Sequence, residues 1–493
     1  MSEPPATPPR DTCAIAGSLF LRALAVVYLM AFVSLAVQIR GLAGANGILP
    51  AAPFLEALSS QVGPERYWQV PTIFWMTGAP DGLLVAACWA GAAAAVMVAC
   101  GFLPLPGLAA CFALYLSLSS VTRTFLNFQW DILLTEAGFL ALFVAPWRLR
   151  AKVPCLPAPP APALWLVRWL LFRLMFSSGI VKLASGDPTW WHLRALDVHY
   201  FTQPLPTWTA WFAHQMPAWF HTFECGVMFC IELVVPFGLF LPRPVRRASA
   251  LILLGFQGLI AATGNYAFFN YLAMALCLVC FDDAAWPEWL RRRSPPAEGL
   301  RPARRWPLWV SIPVLTVFVT LTTATMTARW DLPLWWPAPV ETILGALRPL
   351  RIVNAYGLFA VMTTTRAEIV VEGSDDGQTW SAYEFKWKPG DVSRRPQFVA
   401  PHQPRLDWQM WFAALSSYQR QPWFANFLGR LLQGSPEVLA LLEKNPFPDR
   451  PPRYIRSVVY DYRFSDVRTR RDTGAWWVRT PEGPYSPVQS LRR

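Results

Sequence analysis

Charge is scarce in this sequence. Only 15% of its 493 residues are Asp, Glu, Lys or Arg, while 54% are hydrophobic. A soluble globular chain carries about 25% charged residues, so an ordinary soluble protein is excluded. Histidine is also rare, with five in the chain. No H-x-x-x-H pair occurs, so a metal site has little to build on. No phosphate loop, dinucleotide fingerprint or G-x-S-x-G elbow is present, and the sequence names no cofactor. Cysteine stops at Cys280, which leaves the C-terminal third without a disulfide framework. Cys277-x-x-Cys280 has redox spacing but sits inside the apolar run Leu272 to Phe281, where two small core residues are expected. Lysine is limited to Lys152, Lys182, Lys386, Lys388 and Lys444, so the net charge of +12 is carried by arginine. Those arginines flank apolar runs instead of forming an aromatic-interleaved stripe, which excludes nucleic acid as a partner.

What is abundant is apolar runs long enough to cross a bilayer, for which a helix needs about 20 residues. Nine spans are expected, near residues 14–38, 82–101, 104–121, 131–147, 163–184, 218–241, 248–265, 267–281 and 307–327. The eighth is short enough to re-enter instead of crossing. The first run has no small-residue cleavage site after it and reads as a retained span. The 26 tryptophans suit membrane interfaces. Basic loops stay cytoplasmic. Three are found: Arg148/Arg150/Lys152, Arg243/Arg246/Arg247, and Arg291 to Arg293 with Arg301, Arg304 and Arg305. Nine spans put all three on one side, with the N-terminus cytoplasmic and the C-terminal domain external. The remaining loops are rich in Gly, Pro, Asn and aromatics, so the outer face is the expected working face.

The expected architecture is an all-α membrane bundle over 1–330, followed by a small α+β, β-sandwich-like soluble domain over 331–493. In that domain Val353–Phe359, Glu368–Glu372, Trp380–Trp387 and Tyr454–Phe464 read as strands. Ser374-Asp-Asp-Gly377 is a hairpin turn, and Asp407–Leu415 and Trp423–Leu432 have helical spacing.

Ionisable groups inside spans are expensive and turn toward the protein interior. Arg173 and Glu232 fall at similar depth on adjacent antiparallel spans, which predicts an ion pair. Lys182, His221 and Glu224 lie near the outer ends of spans five and six and are expected to converge on one polar pocket. Each has a structural reading: snorkelling for Lys182, a hydrogen-bonded pair for His221 and Glu224. The chemical reading makes Lys182 a base of lowered pKa and His221/Glu224 an acid–base pair. Asp131 and Glu136 open span four, Asp131 as a helix cap. Gln257, Asn265 and Asn270 complete the set of cavity candidates.

Several of these residues belong to longer runs: Phe128-Gln-Trp-Asp-Ile-Leu-Leu-Thr-Glu-Ala-Gly138, Gly179-Ile-Val-Lys-Leu-Ala-Ser-Gly-Asp-Pro-Thr-Trp190, Thr263-Gly-Asn-Tyr-Ala-Phe-Phe-Asn-Tyr271, Asn354-Ala-Tyr-Gly-Leu-Phe359 and Glu372-Gly-Ser-Asp-Asp-Gly-Gln-Thr-Trp380. Together they resemble the lipase maturation factor family. The resemblance implies a multi-pass protein of the endoplasmic reticulum type that assists maturation of secreted lipases, with the lipid bilayer and exported lipases as partners. The Arg- and Ala-rich composition points to a bacterial source and hence an inner membrane. The fifth span also resembles, more distantly, vitamin K-dependent carboxylases, in which a lysine at the position of Lys182 is the catalytic base. Two functions follow: a maturation or folding factor, or a membrane enzyme using Lys182 on a lipid, a quinone-like molecule or a peptide. Transport is weaker, since no repeat symmetry is visible.

Overall fold

The computed structural model describes residues 13–150, 158–291, 306–330 and 335–491. Lys152, Arg292, Arg293, Arg301, Arg304 and Arg305 of the basic loops lie outside the described residues.

The apolar runs form helices because, without water, a chain meets its backbone hydrogen bonds most simply within one helix. α1 (Ala14–Ala36), α2 (Asp81–Ala99), α3 (Pro104–Thr122), α4 (Gln129–Val144) and α5 (Ala161–Ala184) make the first half of the bundle. The connection after α5 holds two short helices, α6 (Ala195–Thr202) and α7 (Trp208–His214). Then come α8 (Ala218–Leu233), α9 (Arg243–Thr263), α10 (Phe269–Cys277) and α11 (Leu308–Arg329). Every predicted span falls on a helix. Among the described residues, seven helical stretches are long and apolar enough to cross a membrane; α4, at 16 residues, and the stretch Phe269–Cys280 are shorter. α9 and α11 leave most of their length uncovered by protein, as lipid-facing spans should, whereas α5 is 67% buried at the centre.

α2 and α3 meet in a tight hairpin in which Gly101 takes a φ of +81°, a conformation open to glycine without strain. At that end of the bundle, the Asp283 carboxylate caps α1 by accepting from the Ala14 and Ile15 N–H groups at 3.2 and 2.9 Å. Arg247 Nε donates to Asp282 at 3.1 Å, and Arg168 NH2 to the Val279 carbonyl at 2.9 Å. Cys277 and Cys280 are free thiols buried here in the core.

The C-terminal domain sits on the opposite end. After α12 (Ala338–Leu347), strands β1 (Ala367–Ser374), β2 (Ser381–Ala382), β5 (Tyr454–Phe464) and β6 (Trp477–Gln489) form an antiparallel sheet in the order β2-β1-β5-β6. β3 (Glu384–Phe385) and β4 (Leu442–Lys444) form a two-stranded ribbon. Helices α13 (Arg405–Ala414) and α14 (Pro422–Leu432) supply the domain's other layer, and α14 turns Phe424, Phe427, Leu428 and Leu431 into the core. The return strand expected over Trp380–Trp387 is split: only Ser381 and Ala382 pair with β1, and Glu384–Phe385 turn to β4. Val353–Phe359 is not a strand. It is an extended segment, ahead of the sheet, that enters the end of the bundle nearest the C-terminal domain.

Candidate functional site

The buried ionisable residues gather where the bundle meets the C-terminal domain. Asp131, in the first turn of α4, caps its own helix by accepting from the Phe128 N–H at 3.2 Å. Its main partner is Arg405, the first residue of α13, whose guanidinium grips both carboxylate oxygens at 2.6 and 2.8 Å. Tyr115 of α3 donates to the same carboxylate at 2.5 Å. Arg405 and Asp131 are both 0% exposed. Burial lowers the Arg405 pKa, but Asp131 outweighs it and the net shift is upward.

One turn deeper, Glu136 binds Arg173 of α5. Two residues of the inserted segment complete this site. Tyr356 donates its hydroxyl to Glu136 at 2.7 Å, and Asn354 donates its amide at 2.9 Å. Arg173 NH1 in turn donates to the Asn354 carbonyl at 3.0 Å. The predicted partner of Arg173, Glu232, is elsewhere: it accepts from Lys182 Nζ through both oxygens, at 2.9 and 2.7 Å. The expectation of an Arg173–Glu232 pair is therefore corrected to two pairs, Arg173–Glu136 and Lys182–Glu232. The expectation assumed that spans five and six begin in one plane. They do not: α5 and α8 are offset along their length, and α6 packs against α8. Lys182, near the C-terminal end of α5, thus meets the fifteenth residue of α8. Gly179 permits the approach: a Cβ there would lie 2.7 Å from the Leu233 side chain.

The same offset separates the three residues expected in one pocket. Glu224 is eight residues from Glu232, about 12 Å along a helix rising 1.5 Å per residue. Glu224 pairs instead with His221 at 3.3 Å and with the Tyr200 hydroxyl at 3.2 Å. The expected convergence of Lys182, His221 and Glu224 is not formed. Lys182 is enclosed, its ammonium over the Trp190 ring and its side chain 6% exposed. Between the two pairs lies His199, which faces Tyr266 at 3.2 Å. Burial, with Lys182 adding to it, holds the His199 pKa down at about 4, so the ring is neutral.

Asn265 ties the C-terminal domain to the bundle, with one amide donation also going to Leu205 O at 3.1 Å. Its oxygen accepts from Val399 N–H at 2.7 Å and Ala400 N–H at 3.1 Å, and its amide donates to Gln397 O at 2.8 Å. Asn270 and Gln257 bond each other at 2.8 Å inside the bundle. Sequence reasoning missed the other halves of these clasps: Arg405, Tyr356, Asn354, and Arg366, which is 1% exposed and donates to the carbonyls of Phe201, Gln203 and Pro204. It also missed Gln38 of the α1 end, whose amide donates to Gln403 O at 2.8 Å. Only the run Asn354–Phe359 had drawn notice, and it had been read as a strand. Among the described residues, no group of three or more His, Cys, Asp or Glu could hold a metal ion.

The arrangement is a fastening. Asp131 and Arg405 are buried against each other from segments far apart in the chain, and Glu136 is bound by Arg173 and by Tyr356 and Asn354 of the segment after α12. Comparison with known proteins matches two regions of the chain. Residues 15–288 match the family described as lipase maturation factor transmembrane domain, and residues 352–487 match the lipase maturation factor C-terminal domain. Lipase maturation factor 2 of Gallus gallus is 37% identical, with 100% of this chain and 82% of that protein aligned. Lipase maturation factor 2 of Xenopus tropicalis is 36% identical over 97% of this chain and 82% of its own length. Lipase maturation factor 1 of Homo sapiens is 36% identical over 96% of this chain and 87% of its own length. No solved structure matches the chain. The bacterial source suggested by composition has no counterpart among these relatives, which are eukaryotic. With both regions matched and identity sustained from end to end, this multi-pass membrane protein belongs to the lipase maturation factor family.

Proposed function

We propose that the chain is a membrane-held maturation factor for exported lipases, with its C-terminal domain and outer loops as the client-facing surface. The observation that carries this reading is the fixed docking of that domain on the bundle through the Asp131–Arg405 pair and the Glu136–Tyr356 contact. A domain held this way is a rigid platform at the membrane, suited to receiving a folding client. Its unit boundaries are those read in the sequence, a bundle to about residue 330 and an external domain beyond. The N-terminus and the loops with Arg148/Arg150 and Arg243/Arg246/Arg247 are cytoplasmic. The lipase name carried by the relatives supplies the client.

In this reading Lys182, His221 and Glu224 hold the fold and do not react. Replacing Lys182 alone would strand Glu232, so the informative variant changes both, Lys182→Met with Glu232→Met. Co-expression with a secreted lipase, at matched membrane levels of the factor, measures active lipase released. Near-normal release from the double variant is expected. Complete loss of release, with the protein still folded by its melting curve, would overturn the structural role and return Lys182 to chemistry.

A further inference from the structure

The outer connection between α1 and α2 carries apolar side chains that no part of the protein covers. Met76 is 90% exposed, Trp68 49% and Ile73 45%. Its depth is fixed by hydrogen bonds to α3. Ser117 Oγ accepts from the Ile73 N–H at 3.2 Å, the Thr72 hydroxyl donates to Ser117 O at 3.3 Å, and the Ser120 hydroxyl donates to Pro71 O at 3.2 Å. Ser117 lies five residues before Thr122, the outer end of α3, which places the segment about 8 Å below that end at 1.5 Å per residue. Non-helical backbone at membrane depth needs its polar groups met by the protein, and the two serines and Thr72 meet them.

A second exposed apolar element stands beside it. α12 has no buried residue, and its only charged side chain is Glu341. Trp336, just before it, donates to Thr327 Oγ1 at 3.2 Å, in the last turn of the spanning helix α11. Trp68 joins the two elements by donating its indole N–H to Ala346 O at 2.7 Å. Ten residues are about 15 Å of helix, too short to cross a bilayer but long enough to lie along its surface. Tryptophans at both flanks suit the headgroup level.

We infer that residues 66–76 and α12 form one lipid-facing ridge, seated in the leaflet on the side of the C-terminal domain, with the acyl–headgroup boundary as its partner. It anchors the domain laterally, beyond the spans themselves. The first element is bonded to α3 and Trp336 to α11, and Ile73, Met76, Trp335 and Ile343 stand exposed beside those membrane helices. This inference does not depend on the client.

The test is hydroxyl-radical footprinting of the full chain in phosphatidylcholine nanodiscs loaded with one chain per disc. Met76 and Trp335, 90% and 84% exposed to anything but lipid, are compared with Val361, 66% exposed on the C-terminal domain. Burial in lipid predicts oxidation of Met76 and Trp335 several-fold slower than their intrinsic reactivity and exposure dictate, with Val361 unprotected. Oxidation at the full aqueous rate would overturn the inference. So would protection that appears only in discs holding two chains, since the ridge would then be a contact between copies. A Met76→Lys variant that stays folded yet becomes labelled around Trp68 and Trp335 would show the ridge lifting out of the lipid.

Discussion

Asp131 and Arg405 are 274 positions apart in sequence and fully buried against each other. Removing one partner of such a pair costs about 3–5 kcal/mol, because a charge is left without compensation, while replacing both with apolar groups is often neutral. Arg405→Met should therefore lower the unfolding temperature sharply, and Asp131→Leu added to it should restore most of the loss. Calorimetry on the single and double variants in nanodiscs measures this. Equal losses in both would mean that the loss comes from the pair's own contribution and not from a stranded charge. The bundle side of the fastening was legible in the sequence. Asp131, Glu136, Arg173, Lys182 and Glu232 stand out because a charge inside an apolar run is costly. Arg405 and Arg366 do not stand out, since an arginine in a soluble domain looks ordinary until its burial is seen. Similar depth pairs Arg173 with Glu232 only if α5 and α8 are level, and the offset between them gives Arg173 to Glu136 and Glu232 to Lys182.

The segment from Arg351 to Phe359 is the element that joins the two halves. Arg351 donates to the Leu126 carbonyl at 2.8 Å, Gln129 to the Gly357 carbonyl at 3.0 Å, and Trp190 to the Phe359 carbonyl at 3.0 Å. Gly357 has a φ of +147°, and a Cβ there would lie 2.7 Å from Val181 Cγ2. Gly357→Val combines backbone strain of about 1–3 kcal/mol with that clash, so it should dislodge the segment. Limited proteolysis would then cut at Arg351 much faster than in the native protein. Unchanged cleavage would show that the segment tolerates the side chain by shifting. Its extended backbone explains the strand reading, because extended conformation is what short-range pattern detects. Its hydrogen bonds go to side chains of the bundle, which no local pattern reports. β6 was missed for the opposite reason. Pro481, Pro484 and Pro487 break a strand pattern, yet an edge strand has an unpaired side where a missing N–H costs nothing.

Across the whole molecule, the N-terminal Cys13–Ile15 region, Arg150, Arg246 and Asp282 lie at one end of the bundle, and the C-terminal sheet at the other. The two ends should therefore differ in access. An impermeant maleimide applied from outside should label Asp375→Cys, in the exposed turn after β1, and leave Leu149→Cys untouched until the membrane is opened. The reverse pattern would invert the orientation, and labelling of both would break the bundle reading.

The sequence by itself determined the membrane bundle, the small strand-containing domain that follows it, the family, and which charges had to turn inward. Each follows from local composition and from the cost of polarity in lipid, which a single chain displays without reference to its fold. The tertiary structure alone decided which charge meets which, that the soluble domain is fastened into the bundle, and that Lys182 stands apart from His221 and Glu224. Those depend on the relative heights of helices and on contacts between residues hundreds of positions apart, and neither is encoded in any short window of the chain.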